Sequence, residues 1–427
     1  MMEQTVRVLH VFGRTGRGGA ESRIMDLYRR IDRDRIQFDF LVHADPHPAG
    51  TSAPDSEHLM AVRAADDYDD EILSLGGQIY ALPRMGFAHG LAGPHAYRRA
   101  CGHFFDTHRN IWQIVQGHMT STAALYLPAA KRCGIPITVA HARSAGTDPG
   151  LKGLLTRTLR RPLQDPGWKV PTGNGRRVPA IDHCFACSHE AAAAVFGRRP
   201  ALILPNAIDV DQFHYSEKPR ADIRRELRLG DSFVIGHVGT FRYAKNHEFL
   251  LHAFRRYLQL GGDPDSRLLL IGRGDLMPDI RKLAGELDIA DRVIFAGLRT
   301  DVAACYQAMD VFAFPSRYEG LPGSVMEAQA AALPCLISDQ ITEDVDVTDR
   351  ITRMRIGNDR DPAATEEARD QWAKKLLEIR RSHHEDNREA LSGRIAVELR
   401  EAGFDAAKQA EWLAHFYLTG EITGGTP

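Results

Sequence analysis

Glu319 and Glu327 enclose the segment Glu319-Gly320-Leu321-Pro322-Gly323-Ser324-Val325-Met326-Glu327, whose composition suits an anion. Gly320 and Gly323 let backbone approach a ligand closely, and Pro322 suits the first position of a helix. A helix starting there turns its unpaired N–H groups and its dipole toward a phosphate. A carboxylate on each side of such a helix start can hold two polyols flanking a diphosphate. Ribose, diphosphate and hexose have that order in a nucleotide-sugar. The plainer reading makes Glu319 a helix-dipole partner and Glu327 a surface charge.

Other clusters stand elsewhere in the chain. Val238-Gly239-Thr240-Phe241-Arg242-Tyr243-Ala244-Lys245-Asn246 puts Arg242 and Lys245 in a short loop after a strand-like run, which suits a diphosphate at the carboxyl edge of a parallel sheet. Solvated loop charges are the alternative. Gly13-Arg14-Thr15-Gly16-Arg17-Gly18-Gly19-Ala20-Glu21 could be a dinucleotide loop with Asp45 as ribose partner, but Glu21 occupies the place of the third glycine. His118 follows a strand-like run at its carboxyl end, where α/β proteins bind ligands, although a lone histidine is more often structural. Cys184 and Cys187, flanked by His183 and His189, invite a zinc reading. An offset of three in a strand separates the thiols onto opposite faces, and no second pair completes a tetrahedron. They read as buried structural cysteines, and no metal site is expected.

These segments need elements to position them. Strand-like runs over 6–12, 37–43, 78–81, 111–117, 137–141 and 182–186 form one series, and 233–238, 267–271, 292–295, 311–314 and 335–338 a second. Helical patterns such as 20–30, 247–259 and 302–309 fill the gaps, which predicts α/β architecture with parallel sheets. The seam falls near 204–209. The last stretch is helical and charged, and 405–418 is amphipathic. Residues 45–57 and 143–180 read as irregular. The second of these carries eight Lys or Arg against two Asp, a candidate contact for an anionic membrane or simply a solvated loop.

A chain of 427 residues exceeds the roughly 250–300 that one core serves, so two domains are expected. A formal net charge of -2 argues against a nucleic-acid binder. No run of ~18 apolar residues suggests a membrane span. The absence of a signal-peptide pattern and the scattering of six cysteines predict a reduced, cytoplasmic protein.

Together the segments resemble the family-four retaining glycosyltransferases, particularly the bacterial capsular and exopolysaccharide branch. Glu319 and Glu327 match that family's E-x(7)-E pair, Gly18-Gly19-Ala20-Glu21 its N-terminal glycine motif, and Pro205-Asn206-Ala207-Ile208-Asp209 with Phe213 its interdomain signature. Lys245-Asn246-His247-Glu248-Phe249-Leu250 and Glu327-Ala328-Gln329-Ala330-Ala331, followed by Leu333-Pro334-Cys335, resemble the polysaccharide branch. Three positions depart from the pattern. Ala207 stands for glycine, Thr240 stands where arginine is common with Arg242 two residues on, and Ala332 stands where glycine usually precedes Leu-Pro.

The resemblance implies a GT-B fold: two Rossmann-like β/α/β domains facing a central cleft, an acceptor-binding domain over 1–204 and a donor-binding domain over 205–400. A C-terminal helix within 401–427 would cross back to the first domain. It implies a hexosyltransferase that moves sugar from a nucleotide-sugar, UDP-linked by family precedent, to a saccharide or lipid-linked acceptor, with retention and without metal or other cofactor. Glu319 would hold donor hydroxyls and Glu327 the ribose diol. Lys245, assisted by backbone N–H groups of Leu321, Pro322's successors Gly323 and Ser324, and Val325, would neutralise the diphosphate. Gly18 and Gly19 would close over that diphosphate, His118 would contact the hexose, and Leu298 and Arg299 would lie near the base. A degenerate nucleotide-sugar binding subunit and an NAD(P)-dependent oxidoreductase are the alternatives.

Overall fold

The computed structural model describes residues 5–44, 63–85, 92–144, 146, 151–358, 360–382 and 387–422. Asp45 and the 45–57 stretch lie outside them. The chain divides into two compact units, the first comprising 1–206 and 406–427, the second 207–405.

In the first unit, β1 (Val6–Val11), β2 (Ile36–Ala44), β3 (Ile79–Pro83), β4 (Ile114–Gly117) and β5 (Ile137–Ala142) are apolar, largely β-branched or aromatic runs. β6 (Lys169–Pro171) and β7 (Arg177–Pro179) form a separate antiparallel hairpin, and β8 (His183–Ala186) and β9 (Leu202–Ile203) rejoin the main sheet. That sheet is parallel in the order β3-β2-β1-β4-β5-β8-β9. The order reverses between β1 and β4, so their carboxyl ends open a crevice where ligands of such sheets bind. Helix Gly19–Arg30 buries Ile24, Met25, Leu27 and Tyr28 against Val8, Phe38 and Ile114 of the sheet. Helix Ala406–Thr419 adds Ala410, Leu413, Phe416 and Tyr417 to the same core at helical spacing. Burying such a large apolar side chain contributes roughly 1.5–3 kcal/mol. The helix is held further by Tyr417, whose hydroxyl donates to buried Gln116 Oε1 at 2.6 Å.

Among its described residues the 143–180 stretch holds more regular structure than its composition suggests. It contains helix Leu151–Arg160, a 3-10 turn at Arg161–Gln164 and the β6–β7 hairpin. Arg160 is buried and Arg143 turns inward to His118 and Asn206, leaving Arg157, Arg161, Lys169, Arg176 and Arg177 exposed.

In the second unit, β10 (Val234–Val238), β11 (Arg267–Ile271), β12 (Val293–Gly297), β13 (Val311–Phe314), β14 (Cys335–Ser338) and β15 (Ile351–Met354) form a parallel sheet in the order β12-β11-β10-β13-β14-β15. Its order reverses between β10 and β13. Helix His247–Gln259 packs Phe249, Leu250, Ala253, Phe254 and Tyr257 into the core, and helix Pro362–Ser382 adds Trp372, Ala373 and Leu376. Residues 401–405 stay with this unit. Asp405 bridges to Ile208 and lies 3.3 Å from Arg400, and Ile208 N–H donates to Phe404 O at 3.0 Å.

Two glycine departures have different consequences. Ala207 is not among the residues with positive φ, whereas Ala332 is buried at φ 55°. That left-handed conformation suits glycine, so the change at Ala332 concerns backbone strain as well as packing.

Candidate active site

The crevice of the second unit is built by the loops after β10 and β13. Backbone pairing fixes these strands side by side, with Gly236 opposite Phe312. Arg317 N–H donates to Ala244 O at 2.7 Å and its guanidinium to Tyr243 O at 2.9 Å, which ties the two loops together. Lys245 and Glu319, one from each loop, meet with Nζ 2.7 Å from Oε1. Both are mostly buried, and Lys245 Nζ lies 4.6 Å from the centroid of the Phe314 ring. The cation therefore sits on an aromatic floor, where its charge is less screened than in water.

Gly239 belongs to this arrangement for a steric reason. A Cβ there would come within 3.0 Å of His237 Nε2 and 3.2 Å of Lys245 Cδ. His237 Nδ1 donates to Ala313 O at 2.9 Å, which leaves Nε2 without a proton and without a partner. His247 Nε2 and Ser316 Oγ are likewise buried and unpaired. Burial, assisted by Lys245, pushes His237 down to about 4 and His247 well below the usual histidine range. These rings are neutral at pH 7, so Lys245 supplies the charge here.

Glu327 is not the ordinary surface charge of the plainer reading. It is buried, and Tyr306 O–H donates to its Oε2 at 2.9 Å while lying 3.1 Å from Ser324 O. Helix Gly323–Ala330 starts one residue later than the sequence suggests. Pro322 is its N-cap rather than its first residue and offers no side-chain acceptor to the first turn, where Val325 N–H donates to Pro322 O at 3.1 Å. Gly320 and Leu321 are buried, while Gly323 and Ser324 stay partly accessible at the helix start and Val325 turns into the core.

Several expected residues are engaged differently from the Lys245–Glu319 pair. Arg242 is exposed and lines a groove with Leu276, Asp279, Glu366 and Arg369. Arg299 clamps Glu226 and Asp301, at 2.5 and 2.6 Å, so its guanidinium is already committed to holding helices Glu217–Glu226 and Val302–Ala308. Its neighbour Leu298 is 40% exposed. The turn after β11 was missing from the sequence reading. Gly272 (φ 137°) and Gly274 (φ 159°) pass so close to the loop of β10 that a Cβ on Gly272 would lie 2.0 Å from Gly239 O. Phe241 N–H donates to Arg273 O at 3.0 Å. A Gly-x-Gly directly after a strand was the available signal.

The crevice of the first unit lies between β1 and β4. His118 N–H donates to Val11 O at 3.0 Å, and its ring stacks on Phe12 with centroids 4.3 Å apart. Both ring nitrogens are engaged, Nδ1 by Arg143 Nε at 3.3 Å and Nε2 by His10 Nδ1 at 3.1 Å. Burial, with Arg143, His141 and His10 adding to it, holds His118 well below its usual range. His118 thus acts as a neutral ring fixed from behind. Gln116 extends the network to His141 Nδ1 at 3.0 Å. Among these residues only His118 was singled out from the sequence, because histidines on separate strands carry no joint pattern.

Gly18 caps helix Gly19–Arg30, and a Cβ on it would lie 2.3 Å from Glu21 Oε2. The Glu21 carboxylate thus folds over Gly18, and a side chain there would have to displace it. A Cβ on Gly19 would meet nothing within 4 Å. Burial pushes Glu21 up to about 7, opposed by Arg14 and Arg143. Cys184 and Cys187 are both buried.

With this geometry in view, comparison with known proteins is informative. Residues 232–374 match the model of the family described as glycosyl transferases group 1. EpsF of Bacillus subtilis strain 168, named as a glycosyltransferase, is 30% identical over 426 residues, covering 96% of each chain. The chain belongs to the group 1 glycosyltransferases. It is an enzyme of the hexosyltransferase class, related to proteins of exopolysaccharide and capsule synthesis. That membership sets aside the oxidoreductase alternative for the loop at 13–21. An Escherichia coli UDP-Gal:alpha-D-GlcNAc-diphosphoundecaprenol alpha-1,3-galactosyltransferase is 30% identical over 141 residues, 32% of this chain and 36% of that one. Anabaena HepE, solved with UDP-glucose, superposes with a TM-score of 0.66 at 14% identity, covering 97% of this chain and 100% of its own. The shared fold is GT-B, and the glycosyltransferase takes its sugar from a nucleotide-sugar.

Proposed function

We propose that this glycosyltransferase moves a hexose from a UDP-sugar to a saccharide or lipid-linked acceptor of surface-polysaccharide synthesis, with retention and without a divalent metal. The observation that carries the reading is the Lys245–Glu319 pair in the loops that precede a helix whose N-cap, Pro322, has no side-chain acceptor, with Glu327 held by Tyr306. Donor binding exchanges the partners. The diphosphate takes Lys245 and the N–H groups of Gly323 and Ser324, and Glu319 turns to sugar hydroxyls. Glu327 receives the ribose diol. The names of the Escherichia coli relative and of the Anabaena structure support UDP as the nucleotide.

The chemistry then needs the diphosphate to accept negative charge. The C1–O bond to phosphate breaks and a C1–O bond to the acceptor forms on the same face. The departing phosphate oxygen takes the acceptor proton, and nucleoside diphosphate leaves. Lys245 and the helix N–H groups stabilise the developing charge, an effect worth about 10²–10³-fold in comparable single-donor deletions. No enzymic nucleophile takes part, so a trapped covalent glycosyl-enzyme would overturn this mechanism.

Peripheral contact with an anionic membrane belongs to the same reading. Leu154 on helix Leu151–Arg160 is 60% exposed beside Arg157 and Arg161, a combination suited to a lipid headgroup layer. Among the described residues no helix is long and apolar enough to cross a membrane.

The test is nucleotide release from UDP-, GDP- and ADP-sugars with chelator present, with and without a membrane lipid extract. Release from one UDP-sugar, abolished by Glu319→Ala, supports the proposal. Donor binding without release in any mixture would favour the binding-subunit alternative, for which Thr240 and the solvent exposure of Arg242 speak.

A further inference from the structure

Arginines in this protein generally face carboxylates, as Arg7 faces Asp39 and Arg63 faces Asp69. Two at the crevice of the first unit do not. Arg143, just beyond β5, gives Nε to His118 Nδ1 at 3.3 Å and one terminal nitrogen to Asn206 Oδ1 at 2.5 Å. Both acceptors are neutral. Its other terminal nitrogen has no hydrogen-bond partner among the described residues. Arg14, in the loop after β1, makes no side-chain hydrogen bond or ion pair among them either. Glu21 is the carboxylate that feels both guanidinium groups, and it forms an ion pair with neither.

The supports behind Arg143 are rigid. His118 is stacked on Phe12 and tied to His10, so the guanidinium plane is set by buried groups rather than by solvent. A planar cation fixed in this way, with donors left over and no counter-charge in contact among the described residues, is prepared for a bidentate oxyanion. Its place beside the reversal point of the sheet is where ligands of such sheets bind.

We propose that Arg143 forms an anion-receiving site of the first unit that takes a phosphoryl group of a substrate. The phosphoryl group has two sources: the diphosphate of the donor, or a phosphate that links the acceptor sugar to a carrier. His118 and Asn206 are positioning residues for the guanidinium. The inference rests on the glycosyltransferase reading for its substrates, while the site itself is defined by the first unit alone.

The experiment is calorimetric titration of the full-length protein, as wild type, Arg143→Gln and Arg143→Lys, with UDP and separately with inorganic phosphate in the presence of saturating UDP. An acceptor-side phosphate predicts that phosphate binds the UDP-saturated wild type and that Arg143→Gln weakens it at least tenfold with UDP affinity unchanged. A donor-side role predicts a loss of at least tenfold for UDP. In either case Arg143→Lys recovers part of the affinity, which a purely structural role would not produce in a protein whose melting temperature is unchanged. Equal affinities for both ligands in all three proteins overturn the proposal, as does equal weakening by Gln and Lys. Failure of the wild type to bind UDP would sink the UDP-sugar reading, and phosphate titration of the same proteins, then without UDP, still decides on Arg143.

Discussion

Lys245 Nζ lies 2.7 Å from Glu319 Oε1, so the cation assigned to the diphosphate and the carboxylate assigned to the sugar neutralise each other. Removing either alone leaves a mostly buried charge without its partner. Lys245→Ala is expected to lower kcat/KM for the donor by about 10²–10³-fold. The double variant Lys245→Ala/Glu319→Gln should lose less than the product of the two single losses. Steady-state nucleotide release from the four proteins gives the coupling, and strict multiplicativity would show that the pair has no functional linkage.

Ala332 offers a stability test. Its φ of 55° costs a side-chain-bearing residue about 1–2 kcal/mol relative to glycine. Ala332→Gly should raise the melting temperature by about 2–8 °C for a unit of this size. A melting temperature that stays put or drops in thermal denaturation would mean that loss of the buried methyl offsets the relieved strain.

Acid should destabilise the protein through its buried histidines. Burial pushes His10 down to about 3, and His43 and His237 to about 4, while His118, His141 and His247 are also held well below their usual range. Between the ordinary value of 6.5 and these folded values the unfolded chain binds more protons, so stability falls as pH falls through that window. Each such histidine adds up to about 1.4 kcal/mol per pH unit. Glu21, pushed up to about 7, acts in the opposite sense, losing stability as pH rises from 4.5 to 7, but it is one group against six. Urea denaturation at pH 7.5, 6 and 5 checks this, and a midpoint independent of pH would refute it.

Tyr417→Phe should cost the first unit about 1–3 kcal/mol, because Gln116 Oε1, otherwise paired at 2.6 Å, is left buried without its donor. The shift in denaturation midpoint reads this directly. An unchanged midpoint would show that the contact adds nothing.

Leu154→Asp should reduce co-sedimentation with anionic phosphatidylglycerol vesicles several-fold while leaving nucleotide release from soluble donor unchanged. Equal sedimentation with neutral and anionic vesicles would remove the membrane reading of helix Leu151–Arg160.

Much of this was legible in the sequence because parallel strands buried on both faces are short continuous apolar runs. Arg267–Ile271, Val311–Phe314 and Cys335–Ser338 could be read to the residue. β15 could not, since Ile351–Met354 is a half-buried edge strand whose Arg353 reaches Asp346. The β6–β7 hairpin was hidden by its prolines, although Thr172-Gly173-Asn174-Gly175 between two Val-Pro pairs was a turn signal. At the site, Glu319 and Lys245 were found from loop chemistry, which is local. Tyr306 behind Glu327, Arg143 behind His118 and the commitment of Arg299 to Glu226 and Asp301 depend on residues distant in sequence. Side chains brought together only by folding leave no spacing to read.

The return of helix Ala406–Thr419 to the first unit also has a consequence for biosynthesis. A ribosome delivers the part of this unit that ends at residue 206 long before the segment that completes its core. During that interval Ile24, Leu27 and Phe38 lack their cover from Leu413, Phe416 and Tyr417, while the intervening unit emerges with its sheet and helices contiguous. The second unit should therefore mature first, and the nascent first unit should be the part that engages chaperones until helix Ala406–Thr419 emerges.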